Sequence, residues 1–288
     1  MKKIVITALL ILPLLSFIAQ EEEGKNFRFG LMGNTSIGWL TPDDERKFSS
    51  GGVGLGLGWG LQMEFKLGKT TSFVTGLNLE SYKASLNYDD PDLSATSKPT
   101  YYDLNSDFEY VSWEDLTDIP RANPEDTSLF QLTKRSYTIN YVNIPLILKM
   151  KTKEIGYFTY FGEFGAVLGF KTKARVDDIA NVVSYDSLST DPFTIEDPND
   201  ENNIDLDLAK GTQPIRAGIR VGGGAEYNIS GTTSLFFSLH YNYFITNALT
   251  RAKSEDYLRS YDSDTGEFEA VGAKAIPGSV SLTVGILF

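Results

Sequence analysis

The stretch 53–67 constrains this chain more than any other part of it. Val53, Leu55, Leu57, Trp59, Leu61, Met63, Phe65 and Leu67 are apolar at every second position, and between them stand Gly54, Gly56, Gly58, Gly60, Gln62, Glu64 and Lys66. Successive strand side chains point to opposite faces, so one surface is wholly apolar and the other is small or charged. Strands of soluble proteins usually run about 5–6 residues. An apolar face this long needs a non-aqueous neighbour along its whole length, which is the pattern of a strand crossing a membrane in a barrel.

The same period returns in Ile215, Ala217, Ile219, Val221, Gly223, Ala225, Tyr227 and Ile229, with Arg216, Arg220 and Glu226 on the second face. It returns again over 235–245 and over 280–288, and a helix cannot produce it. Less regular strands are predicted over 27–40, 72–87, 137–150 and 157–171, making eight. Tight turns at 68–71, 151–156 and 230–233 alternate with long connections at 41–51, 88–134, 172–214 and 246–274. Strict short-long alternation with an even strand count predicts an all-β, eight-stranded antiparallel up-and-down transmembrane barrel. The long loops then face outward and both chain ends the periplasm, with Tyr157, Tyr227, Tyr241 and Tyr243 as interfacial girdles.

The N-terminus is consistent with that address. Lys2 and Lys3 precede an apolar run over 4–18 that ends near Ala19, followed by Glu21, Glu22 and Glu23. This predicts a cleaved secretory signal over 1–19 and a barrel domain over 25–288. The alternative is a retained anchor, but the run is short for one and is interrupted by Pro13. After residue 20 no apolar run approaches the roughly 20 residues that a spanning helix needs.

The absence of cysteine excludes disulfides, thiolate metal sites, cysteine nucleophiles and a lipidated cysteine. A net charge of −12 excludes nucleic acid as a natural partner, because phosphate recognition needs a basic face.

Within the strand predicted over 137–150, Tyr141-Val142-Asn143-Ile144-Pro145-Leu146-Ile147-Leu148-Lys149 resembles the Y-L-E-I-P-L-L-L-K strand of the PorT-like outer-membrane β-barrel family common in Bacteroidota. Gly162-Glu163-Phe164-Gly165, Gly222-Gly223-Gly224-Ala225-Glu226-Tyr227 and the terminal Ser281-Leu282-Thr283-Val284-Gly285-Ile286-Leu287-Phe288 are similar to strands of that family. The resemblance runs from Phe27 to Phe288, broken by the loops. It implies an eight-stranded barrel inserted into a Gram-negative outer membrane by the assembly machinery, with the terminal aromatic Phe288 as the assembly signal. It implies no fixed activity: the namesake is an accessory of type IX secretion, and the long acidic loops are not part of the shared motif.

If the apolar face meets lipid, lumen positions carry Glu64, Lys66, Glu80, Lys149, Glu163, Lys171, Arg216, Arg220, Glu226 and His240. Side chains roughly fill an eight-stranded barrel, and charges buried there should pair. A salt-bridged polar network is therefore expected, with an ion path as the alternative. His240, the only histidine, shares its face with Ser238 and Asn242. Ser-His pairs catalyse acyl chemistry, so an outer-membrane lipid hydrolase or acyltransferase is the enzymatic alternative. With no G-x-S-x-G turn and little room for substrate, no catalytic residue, cofactor or metal is assigned.

The loops are acidic. The stretch 88–134 holds Asp89, Asp90, Asp92, Asp103, Asp107, Glu109, Glu114, Asp115, Asp118, Glu125 and Asp126, together with Tyr101, Tyr102, Phe108, Tyr110 and Trp113. A loop this long needs internal structure, so part of it is expected to extend the neighbouring strands or pack over the barrel mouth. The run 197–207 reads as a solvated charge cluster, with weak surface Ca²⁺ binding as the alternative. Asp264-Thr265-Gly266 between Tyr261 and Phe268 reads as a hairpin turn.

The expected function is that of a non-catalytic outer-membrane barrel that binds or scaffolds through its surface loops. Its expected partners are outer-membrane lipid, the assembly machinery, and an unidentified surface or secretion partner. The alternatives are an accessory of an outer-membrane transport or type IX secretion assembly and a lipocalin-like periplasmic binder with inverted faces.

Overall fold

The computed structural model describes residues 26–45, 48–88, 99–111, 127–185, 193–208, 211–250, 257–262, 265 and 267–288. The expected signal segment lies outside them. Twelve strands form one antiparallel sheet: β1 (Phe27–Pro42), β2 (Ser49–Lys66), β3 (Thr71–Asn87), β4 (Thr100–Asn105), β5 (Thr127–Lys151), β6 (Phe158–Tyr185), β7 (Phe193–Asp207), β8 (Ile215–Ser230), β9 (Thr233–Phe244), β10 (Arg259–Asp262), β11 (Glu267–Ala270) and β12 (Ala275–Leu287). Eight of them pair in a closed ring, β1-β2-β3-β5-β6-β8-β9-β12. The ring closes where β12 lies against β1, with Ser36 opposite Ser281.

The outside of the ring is greasy. Leu57 is 66% exposed and Trp59 is 62% exposed, and Leu55, Ile219, Leu239 and Leu282 also lie open on it. Water does not tolerate a continuous apolar band of this extent, so the band faces lipid. A lipocalin-like barrel would need these side chains inside. Exposed Tyr157, Tyr160 and Tyr227 ring the short-turn end. Tyr241 and Tyr243 lie near the other end, with Trp39 beside Tyr241.

On the β3, β5 and β6 side, polarity inverts partway along each strand. The lumen face of β3 runs Asn78 and Glu80, then Tyr82, Ala84 and Leu86, while its outer face runs Leu77 and Leu79, then Ser81, Lys83 and Ser85. On β5 the lumen face changes from Lys149 and Asn143 to Tyr141, Ile139 and Tyr137, and the outer face from Leu146 and Ile144 to Asn140, Thr138 and Ser136. A β-bulge between Asn140 and Tyr141 sits at the changeover. Here the strands leave lipid and continue as ordinary water-soluble sheet.

Beyond that line the long connections hold more strand than the sequence pattern indicates. The upper part of β5 begins inside the stretch 88–134 and pairs with β4; the upper part of β6 extends into 172–214 and pairs with β7. The chain at 193–207 therefore runs as a strand rather than a free charge run, because its backbone completes the edge beside β6. β10 and β11 form the hairpin expected around Thr265 and join the edge of β4. These strands enclose an apolar cluster that includes Leu40, Leu86, Tyr102, Phe130, Leu132, Ile139, Val176, Leu206 and Ala275. A second cluster joins the paired ends of β6 and β7 to β4 and β10: the Phe193 ring stacks on Tyr101 at 4.1 Å and meets Tyr261 and Phe268.

Candidate functional site

The lumen is built in layers from the short-turn end upward. In the lowest, register sets Arg28 opposite Glu64 on neighbouring strands, and Glu226 reaches them from β8. Arg28 Nη2 lies 2.7 Å from Glu64 and 2.9 Å from Glu226. Lys149 Nζ lies 2.6 Å from Glu226, and Lys151 Nζ lies 2.5 Å from Glu64 and 2.9 Å from Glu226. Two carboxylates are thus shared by three cations, which is the geometry that makes burying charge tolerable. The phenyl ring of Phe161 covers the Lys149 ammonium at 3.9 Å.

Small residues make room for these long side chains. A Cβ at Gly224 would strike the Phe161 ring at 2.8 Å and the carbonyl of Phe237. Gly76, at φ +150°, is held against the Leu61 carbonyl where no side chain fits.

The middle layer pairs His240 Nε2 with Glu163 at 2.7 Å. Arg220 donates through Nε to Asn242 Oδ1 at 2.8 Å, and the Asn242 amide donates to Ser279 and Ser281. In the layer above, Arg216 pairs with Glu80 and donates to Asn143 Oδ1 at 3.0 Å, and Asn143 returns a bond to Glu80 at 2.8 Å. The Arg216 guanidinium lies 3.8 Å from the centre of the Tyr141 ring and 4.3 Å from that of Phe244.

All eight candidate lumen residues lie on the inner face. Glu64, Lys149 and Glu226 meet in one cluster, Glu80 joins Arg216, and Glu163 joins His240. Arg220 has no carboxylate within 4 Å among the described residues. Lys66 departs from its expected place: it is exposed at the mouth, whereas Lys171 donates to the backbone oxygen of Thr212. Sequence reasoning misses Arg28, Lys151 and Asn143. The pattern puts Lys151 in a turn, yet strand parity with Lys149 puts it on the same face. At the chain end, Phe288 closes the seam through a 2.7 Å bond from its N–H to Phe29 O.

Above the lipid-facing band the apolar cap lies over the lumen and encloses the Arg135–Asp178 ion pair. Arg135 grips Asp178 through two parallel bonds, Nε to Oδ1 at 2.7 Å and Nη2 to Oδ2 at 2.6 Å. Nη2 also donates to the Tyr110 hydroxyl, which donates to Asp178 Oδ2 at 2.9 Å. The rings of Tyr88, Tyr102 and Tyr110 surround the guanidinium. Burial works against the Arg135 charge, but Asp178 more than offsets this and holds the pKa well above the usual arginine value. Burial pushes the hydroxyls of Tyr88, Tyr110 and Tyr137 up. On the outer side of β4, burial alone pushes the Asp103 carboxyl up to about 7.

A polar lumen is thus overlain by apolar packing. His240 engages a carboxylate rather than a hydroxyl, so the Ser-His alternative lacks its hydrogen bond. Among the described residues no group of three or more His, Asp or Glu is placed to hold a metal ion. The acidic residues 197–202, whose side chains are not described, and Asp89, Asp90, Asp92, Glu114, Asp115, Asp118, Glu125 and Asp126 lie outside that statement.

The chain is similar to several solved barrels. A major outer membrane protein of Thermus thermophilus is 14% identical, with 91% of this chain and 98% of that one covered and a TM-score of 0.38. OprG of Pseudomonas aeruginosa is 10% identical, with 91% and 96% covered and a TM-score of 0.38. Neisserial surface protein A is 12% identical, with 92% and 98% covered and a TM-score of 0.37. Comparison with curated proteins finds no match. The family model "Outer membrane protein beta-barrel domain" matches residues 18–250, most of the chain. Together with the closed ring and its lipid-facing band, that match makes this chain a member of the outer membrane protein beta-barrel domain family, resident in the outer membrane.

Proposed function

We propose that this protein is a non-conducting, non-catalytic barrel that displays a rigid acidic layer on the cell surface for binding a partner. The observation that carries this reading is the cap. β5 and β6 continue past the lipid-facing band, recruit β4, β7, β10 and β11, and bury a common apolar core over the lumen. A diffusion pore would be blocked by such a core, whereas a display surface gains rigidity from it. Exposed side chains such as Phe108, Ile195 and Ile204 project from this layer.

The assembly machinery is the proposed partner during insertion, reading Phe288, and outer-membrane lipid the proposed partner afterwards. The Tyr141–Lys149 motif favours the PorT-like branch of barrels and thereby a second reading, an accessory of a transport or type IX secretion assembly docking through its periplasmic turns.

Photo-crosslinking in intact cells separates the two. Crosslinkers at Phe108 and Ile204 are expected to capture a specific adduct while those at Lys69 and Lys153 capture none. Adducts from the turns alone would overturn the display reading in favour of the secretion accessory.

A further inference from the structure

Between the lowest charged layer and the Arg216–Glu80 layer lies a small cavity of ≈ 20 Å³. That is room for one or two waters. Arg220, Gln62, His240, Glu163, Asn34 and Asn78 line it. Four of these residues present buried polar atoms without a hydrogen-bond partner: Gln62 Nε2, His240 Nδ1, Asn34 Oδ1 and Asn78 Oδ1. Gln62, His240 and Asn78 are 7%, 4% and 5% exposed. Orphaned buried groups cost about 1–3 kcal/mol each, so their convergence on one void marks a place where something polar sits.

The charge around the void says what. Arg28, Lys149, Lys151 and Arg216 each have a carboxylate within 4 Å. Arg220 has none among the described residues: it donates through Nε to Asn242 and feels Glu163 and Glu80 only from beyond that distance. Among the described residues five lumen cations thus stand against Glu64, Glu80, Glu163 and Glu226, one positive charge in excess, and the cation without a directly paired carboxylate lines the cavity, together with Glu163. A buried cation whose carboxylates stand beyond direct contact is costly unless its donors are met.

We propose that the lumen contains a buried site for one small monovalent anion of halide size, seated between Arg220 and Gln62. The anion accepts hydrogen bonds from the Arg220 guanidinium and the Gln62 amide. A single water beside it donates to the side-chain oxygens of Asn34 and Asn78. A cation is disfavoured by the excess positive charge, water alone leaves that charge unmatched, and polyatomic anions exceed the space. Arg220 is thereby an anion ligand rather than a member of the salt-bridge network.

Crystals of the full barrel grown with bromide in place of chloride test this directly. An anomalous peak is expected beside Arg220 and Gln62, and it should vanish in Arg220→Gln. In detergent solution, the thermal unfolding midpoint should rise with chloride or bromide at constant ionic strength and not with methanesulfonate, following the logarithmic dependence of ligand linkage. Arg220→Gln should lose that dependence. Should this variant fail to insert, Gln62→Met, neutral and of similar volume, should weaken it. Density filled by waters with no bromide signal, or a midpoint indifferent to the anion, would overturn the site.

Discussion

The lower lumen and the cap bury charge in opposite ways. In the lower lumen Glu226 is within 3 Å of Arg28, Lys149 and Lys151, so each ion has several partners, and the mouth below lies close to water. In the cap Arg135 depends, among the described residues, on a single carboxylate, Asp178, set among apolar and aromatic side chains. A shared network tolerates the loss of one member, whereas a lone pair in an apolar core does not. The lumen is therefore the robust region of the molecule and the cap the sensitive one.

Arg135→Ala breaks the comparison hardest. It strands Asp178 in the cap at a cost of about 3–5 kcal/mol. Protease sensitivity is expected to rise in the cap strands while the heat-modifiable mobility of the barrel on gels persists. Arg135→Met with Asp178→Leu should recover most of the loss, because apolar isosteres of a buried pair are often neutral or stabilising.

Asp103 sharpens the same contrast through pH. Its carboxyl sits at about 7 against an ordinary 3.8, so the folded cap holds a proton that the unfolded chain releases. The cap keeps full stability below the unfolded value and loses it as the pH rises through about 7, by at most about 4 kcal/mol. Asp103→Asn should stabilise the cap at pH 8 and change little at pH 4, read by denaturant unfolding of the purified barrel.

Leu57→Lys puts a charge on the lipid-facing band and should hinder insertion by about 2–4 kcal/mol, read as folded yield into vesicles. Glu226→Gln leaves Glu64 to serve the same three cations and should cost less, about 1–3 kcal/mol. Equal losses for Glu226→Gln and Arg135→Ala would remove the distinction between shared and single-partner burial.

The ring was legible because lipid imposes the strictest alternation: β2 and β8 show their faces residue by residue. The cap was less legible because its strands follow the opposite rule, apolar inside and polar outside. On β5 the alternation of Ser136, Thr138 and Asn140 with Tyr137, Ile139 and Tyr141 carries that inversion. It marks the membrane surface and indicates that the strand continues beyond it. β7 gave no such signal, since the pairing of an acidic run with Pro198 comes from the neighbouring β6 edge rather than from its own propensity. Among lumen residues, parity on regular strands located Glu64 and Arg216. Arg28 obeys the same parity, between outward Phe27 and Phe29, but β1 as a whole shows its faces less clearly because Thr35 puts a polar residue on the outer face.

Hydrogen–deuterium exchange of the intact barrel in lipid nanodiscs tests the central claim, that the acidic connections are a folded cap and not free loops. Amides of the upper β5 and β6 and of paired β7 should exchange slowly, well separated from unpaired chain and approaching the ring strands. Exchange across 172–207 at the rate of an unstructured peptide, with the ring strands protected, would contradict it.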